Sequence, residues 1–171
     1  MTIENPYTGP PVGISNSAQV DLDTELVTIG VTTPVEPPTP SPSVLEFVDS
    51  LSTPVAAYAE NEDVYVQLTD DDPNLDVNVA ETVTVNLLNP TTGDRETLIL
   101  TETGINTGVF ATMIPSSTST GLGIDDGAIN ASAGDVLEAS YTDPIFPTDT
   151  SNDSAPIVVP SETKTLYPSV A

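Results

Sequence analysis

The sequence predicts an all-β protein: an immunoglobulin-like antiparallel β-sandwich preceded by an N-terminal extended strand segment. Three observations predict it. The polar residues are mostly Thr, Ser, Asn and Asp; Thr favours strands, and Asn and Asp favour turns. The 17 Pro and 10 Gly are spread along 171 residues, which leaves few windows for a helix of more than about two turns. From residue 43 onward, short apolar runs of period two recur between Gly, Pro, Asn and Asp. Hydrophobic residues make up 37% of the chain and the mean hydropathy is near zero, too apolar for plain disorder despite the charge.

Taken in order, residues 1–13 are turn-rich and open no regular element. Over 17–32, Val20 and Leu22 alternate with Asp21 and Asp23, and Val27, Ile29 and Val31 alternate with Thr28 and Gly30. The apolar phase switches at Leu26-Val27, so a bulge, or two short strands with a bend, must reconcile the halves. Pro34, Pro37, Pro38, Pro40 and Pro42 then make an extended, polyproline-like spacer. The expected organisation is an N-terminal extension with a donor-type strand over 1–33, a Pro-rich linker over 34–42 and a sandwich over 43–171.

Within the sandwich, 43–50 opens the strands, and 63–70 puts Val64, Val66 and Leu68 on one face. In 81–88, Val83, Val85 and Leu87 face inward; a turn over 89–94 returns the chain along 95–102, forming a hairpin. Phe110 and Ile114 share a face in 108–115, as do Leu137, Ala139 and Tyr141 in 135–143. The last strand comes from 155–161 or 163–169. Gly104 and Gly108 permit left-handed turn geometry ahead of Phe110. Tyr141 is expected in a corner, ring inside and hydroxyl bonded to backbone.

Charge and composition exclude several functions. Arg95 and Lys164 are the only cations against 26 acids, a formal charge of 2 − 26 = −24. That excludes nucleic acid as a partner and disfavours anionic membrane surfaces. No apolar run is long enough to insert in a membrane as a helix. With no Cys and no His, thiol catalysis, His-based triads, disulfides and the usual zinc or haem ligands are excluded. Paired carboxylates among 26 acids are uninformative about glycoside hydrolysis, and there is no Trp platform for sugar, so the chain is not expected to be an enzyme. The opening residues lack the basic and apolar regions of a signal peptide, so a processed chain or a segment of a longer one is expected.

The stretches VYVQLTDDDPNLD, ETVTVNLLNPTTGDRETLILTETGINTGVFATMIPSS and AGDVLEASYTDP resemble the Ig-like or cadherin-like repeats of large bacterial extracellular surface proteins. The motifs that carry the resemblance are Thr82 to Val85, Leu98 to Leu100, Asn106 to Phe110 and Gly134 to Pro144, across residues 43–160. The resemblance implies an extracellular or cell-surface location, a β-sandwich and often Ca²⁺ at domain junctions. Residues 1–33 and the spacer lie outside it.

The strongest chemical constellation is Asp70, Asp71, Asp72, Asn74, Asp76, Asn78 and Glu81. Crowded carboxylates repel one another unless a hard cation with oxygen ligands relieves them. Asp70, Asp72, Asn74, Asp76 and Glu81 fall at EF-hand spacing, but Leu75 stands where that loop needs Gly, and no helices flank it. The expectation is therefore Ca²⁺ in a sandwich loop. Glu60, Asp63, Asp143, Asp149 and Asp153, near strand ends, are secondary candidates, and Asp125-Asp126-Gly127 reads as a turn.

The expected function is a structural subunit of an extracellular fibre or surface assembly. Copies of the chain would join by N-terminal strand complementation through Val20, Leu22, Val27, Ile29 and Val31. The alternative is a Ca²⁺-dependent adhesin repeat, acting as a spacer or ligand-binding module.

Overall fold

The structure, a computed structural model, describes residues 39–119 and 123–160 in full, and residues 15–22 and 25–32 as backbone. All regular structure among the described residues is β. The chain divides into two compact units, Met1–Thr39 and Pro40–Ala171, and the division falls inside the Pro-rich stretch.

In the first unit, β1 (Ser15–Leu22) and β2 (Glu25–Thr32) pair antiparallel. The register sets Ala18 opposite Ile29, Val20 opposite Val27 and Leu22 opposite Glu25. Only residues 23 and 24 separate the strands, so even positions of β1 share a face with odd positions of β2. The phase switch is thus the mark of two paired strands, and the positions of Val20, Leu22, Val27, Ile29 and Val31 fall on one face of the ribbon. The side chains of these five lie outside the described residues.

In the second unit, the sandwich strands are β3 (Val44–Val48), β4 (Tyr58–Ala59), β5 (Val64–Thr69), β6 (Thr82–Asn89), β7 (Asp94–Glu102), β8 (Val109–Ile114), β11 (Val136–Thr142) and β12 (Thr150–Val158). They form one sheet in the order β3-β5-β8-β7-β6-β11-β12-β4. β7 pairs with β6 over eight residue pairs but with β8 only through Thr101–Ala111 and Glu102–Phe110. There the sheet curls into two layers, β3-β5-β8 and β7-β6-β11-β12, as in an antiparallel β-sandwich. β4 is the exception, running parallel to β12. Ser116–Ser117 (β9) and Ile129–Asn130 (β10) form a separate short parallel pair.

Alternation puts the apolar residues between the layers: Leu45, Phe47, Val64, Val66, Leu68, Phe110 and Ile114 from one, Val83, Val85, Leu87, Leu98, Leu100, Leu137, Tyr141 and Ile157 from the other. The last strand among the described residues starts at Thr150, five residues before the expected 155, and its first half carries no buried apolar side chain. The alternative strand 163–169 lies outside the described residues.

Where β3 and β12 face each other, side chains close the seam. Phe47 N donates to Asp153 Oδ2 at 2.7 Å, and Ser43 Oγ lies 3.2 Å from Ser151 Oγ, within hydrogen-bond distance. The backbone-bonded corner tyrosine is Tyr58, whose hydroxyl contacts the Val48 carbonyl and donates to the Tyr65 carbonyl at 2.8 Å; its ring meets Phe47 edge-on. Tyr141 bonds a carboxylate instead.

Candidate metal centre

Strand direction brings three loop ends together at one end of the sandwich. Asp70 and Asp72 follow the end of β5, Asp143 follows the end of β11, and Asp149 precedes β12. One carboxylate oxygen from each of these four lies within 4.8 Å of the others. Asp70 and Asp143 are 1% and 0% exposed, while Asp72 and Asp149 are half-buried.

Each carboxylate is fixed by its own loop. After β5, Asp72 N donates to Asp70 Oδ1 at 3.0 Å, a side-chain turn that aims both acids at the same end. The same device recurs after β11, where Ile145 N donates to Asp143 Oδ1 at 2.7 Å. Asp143 N donates to the Asp149 carbonyl at 3.0 Å, closing the turn between β11 and β12. The start of β3 is bound in as well. Ser41 N donates to Asp72 Oδ2 at 2.8 Å, Ser43 N to Asp149 Oδ2 at 2.8 Å, and Ser43 Oγ to Asp149 Oδ1 at 2.9 Å. Beneath them, the Tyr141 hydroxyl donates to Asp70 Oδ2 at 2.9 Å.

The charges are poorly compensated. Burial pushes the Asp70 carboxyl above its usual range, against the pull of the Asp72 amide and the Tyr141 hydroxyl, and the Asp143 and Asp72 charges add to the rise. Burial, with the Asp70 hydrogen bond and charge, pushes the Tyr141 hydroxyl well up. Asp143 Oδ2 is buried and has no hydrogen-bond partner among the described residues. Like charges this close cost a few kcal/mol per pair at an effective dielectric of about 20. Hard oxygen donors, mutual repulsion and an unpartnered buried carboxylate oxygen together fit a cation.

Of the residues expected to ligate, the structure brings together Asp70 and Asp72, and joins them with Asp143 and Asp149 from the secondary set. Asn74, Asp76 and Glu81 lie outside this cluster and shape the loop between β5 and β6. Glu81 Oε1 accepts from Leu75 N at 3.1 Å and Asp76 N at 2.6 Å, Asp76 Oδ1 accepts from Asn78 N at 3.0 Å, and Asn74 Nδ2 donates to Asn106 Oδ1 at 3.3 Å. Asn74 Oδ1 and Glu81 Oε2 have no partners among the described residues. Glu60 accepts from Ala133 N, and Asp153 from Phe47 N and Ser154 N, so both hold backbone elsewhere. Ser41, Ser43 and Tyr141 had no local sequence signal, since each meets its carboxylate only through the sheet order.

The neighbouring β7–β8 turn supports the cluster. Gly108 O accepts from Asp70 N at 2.8 Å. Glu102 Oε1 accepts from Gly108 N at 2.8 Å and from the Thr107 amide and hydroxyl. Burial works to push the Glu102 carboxyl up, but these donors outweigh it and hold it down at about 2. At the opposite end, Asn89 Nδ2 donates to the Asn130 carbonyl and to Asp135 Oδ2, and Asp94 Oδ2 accepts from Asn130 N, tying the loops there. Neither a protein-family model nor a curated protein matches the chain, so its functional reading rests on this geometry.

Proposed function

We propose that the chain is a non-catalytic structural module of an extracellular or cell-surface assembly, and that Ca²⁺ fills the carboxylate cluster and locks the sandwich where β3 begins. The observation that carries this reading is the convergence of Asp70, Asp72, Asp143 and Asp149, with a buried Asp143 oxygen lacking a partner. Ca²⁺ takes six to eight oxygens in adaptable geometry, which suits carboxylates from separate loops better than the strict octahedron of Mg²⁺. Because Asp72 and Asp149 also hold Ser41 and Ser43, a cation there stiffens the segment leading into β3. The resemblance to repeats of bacterial surface proteins agrees with a spacer or adhesin-type role.

The test is thermal unfolding in Ca²⁺ against NaCl of matched ionic strength. A cation that binds only the folded chain adds about 2.7 kcal/mol at a hundredfold excess over Kd, or about 10 °C in Tm. Asp143→Asn should remove the Ca²⁺-specific part and leave the NaCl response. An equal rise in both salts for the unaltered chain overturns the reading.

A second reading, assembly of copies of the chain through residues 1–33, is supported by the β1–β2 register. A two-stranded ribbon is marginally stable alone, and one with its apolar positions on a single face gains by covering that face. The sandwich carries its own eight-stranded sheet, so a donated ribbon would add to a neighbour's surface rather than replace a missing strand. Electron microscopy of the pure protein tests it: filaments are expected, and monomers alone refute it.

A further inference from the structure

We infer that Tyr141 is a positioning residue of the cation site, holding Asp70 in its ligating orientation from the core side; this rests on the cation reading above. β11 presents Tyr141 and, just beyond its end, Asp143 at alternate positions, 2% and 0% exposed. One short run thus supplies both a candidate ligand and the group that orients another. The Tyr141 hydroxyl donates to Asp70 Oδ2 at 2.9 Å, while Asp70 Oδ1 accepts from Asp72 N at 3.0 Å. Both oxygens of this carboxylate are therefore tethered, and each retains a lone pair for a cation. Tyr58 is an internal comparison: it is as buried as Tyr141, but its hydroxyl serves the backbone of Val48 and Tyr65.

Partners that orient ligands from outside the coordination shell are worth tenfold or more in metal affinity. Tyr141→Phe keeps the ring and removes only the tether. Ca²⁺ affinity, measured by calorimetry, should fall about tenfold in Tyr141→Phe. Tyr58→Phe should lower Tm without changing that affinity. A merely structural role for Tyr141 would instead make the two variants alike. Tb³⁺, a hard cation that competes for Ca²⁺ oxygen sites, adds a readout that needs no variant. Its emission excited through tyrosine should appear on binding to the unaltered protein and be displaced by Ca²⁺. In Tyr141→Phe most of that sensitised emission should vanish, even when direct excitation shows the ion bound.

Unchanged Ca²⁺ affinity in Tyr141→Phe overturns the positioning role and leaves the cation site standing. Failure of the unaltered protein to bind either ion overturns the site and the role together. Binding of Tb³⁺ without tyrosine-sensitised emission overturns the proximity of Tyr141 to the ion, whether or not the variant folds.

Discussion

At Gly108 the backbone takes φ +61°, and an added Cβ would collide with Asp71 Oδ1 and come within 3.1 Å of the Asp70 carbonyl. Gly104, the other glycine expected to turn left-handed, does not; Asn106 takes that conformation, at φ 58°. Gly108→Ala therefore combines backbone strain with pressure on the Asp70–Asp71 backbone. We expect a loss of about 1–3 kcal/mol of stability in denaturant unfolding, and weaker Ca²⁺ binding with it. Gly104→Ala, whose Cβ would meet only the Thr107 methyl at 3.3 Å, should be much milder. Residue by residue, the acidic character of the site was legible and all four of its members were among the candidates, but not that these four, rather than Asn74, Asp76 and Glu81, come together. Asp70 and Asp72 stood out as neighbours in a charge run, but EF-hand spacing presumes a loop that wraps around one ion. Here Glu81 turns to the amides of Leu75 and Asp76, and the remaining carboxylates come from another loop. No local spacing encodes that meeting, because it depends on β5 and the β11–β12 turn reaching the same end of the sandwich.

At the scale of elements, alternation was enough to place most strands. β5, β6, β7 and β11 each bury every second residue, and the 81–102 hairpin follows from its flanking patterns. The start of β12 was not readable, since Thr150 to Ser154 are polar and their role is to pair with β11 and bridge to β3. β4, two residues long, carries too little pattern to detect. The reverse lesson comes from β1 and β2, where an irregularity in the alternation encodes the fold. Replacing Ile29 with Asp puts a charge on the face that carries the apolar positions, and an uncompensated buried carboxylate costs several kcal/mol. If that face covers a neighbour, Ile29→Asp should abolish filaments by electron microscopy while the melting of the 40–171 unit stays unchanged. If it instead lowers that melting temperature in a monomer, the ribbon serves its own chain. No change in either would leave the assembly reading without its main support.

Across the whole molecule, a formal charge of −24 sets two opposing pH effects. Protonating surface carboxylates relieves self-repulsion and favours the compact state. Carboxylates held ionised by hydrogen bonds act the other way. Glu102 is held at about 2 by the Gly108 and Thr107 donors against its burial. Asp49 is lowered by the amides of Thr53 and Leu51; in Asp135, the Ser132 amide and the Asn89 side chain overcome burial. A depressed carboxyl stabilises the fold above its unfolded pKa and loses that contribution as pH falls through the folded value. For Glu102 the window runs from about 4.5 down to about 2. Asp70, pushed up by burial, has the opposite sign: its contribution is complete at low pH and is lost as pH rises through its folded value. In cation-free buffer, Tm should therefore hold or rise from pH 7 toward 5, then fall steeply below about 4.5. Glu102→Gln, which keeps an acceptor oxygen for the turn but does not titrate, should lower Tm at pH 7 and flatten the acid limb. The two proteins should converge as pH approaches 2. An acid limb of unchanged slope in Glu102→Gln would show that other carboxylates carry the acid response.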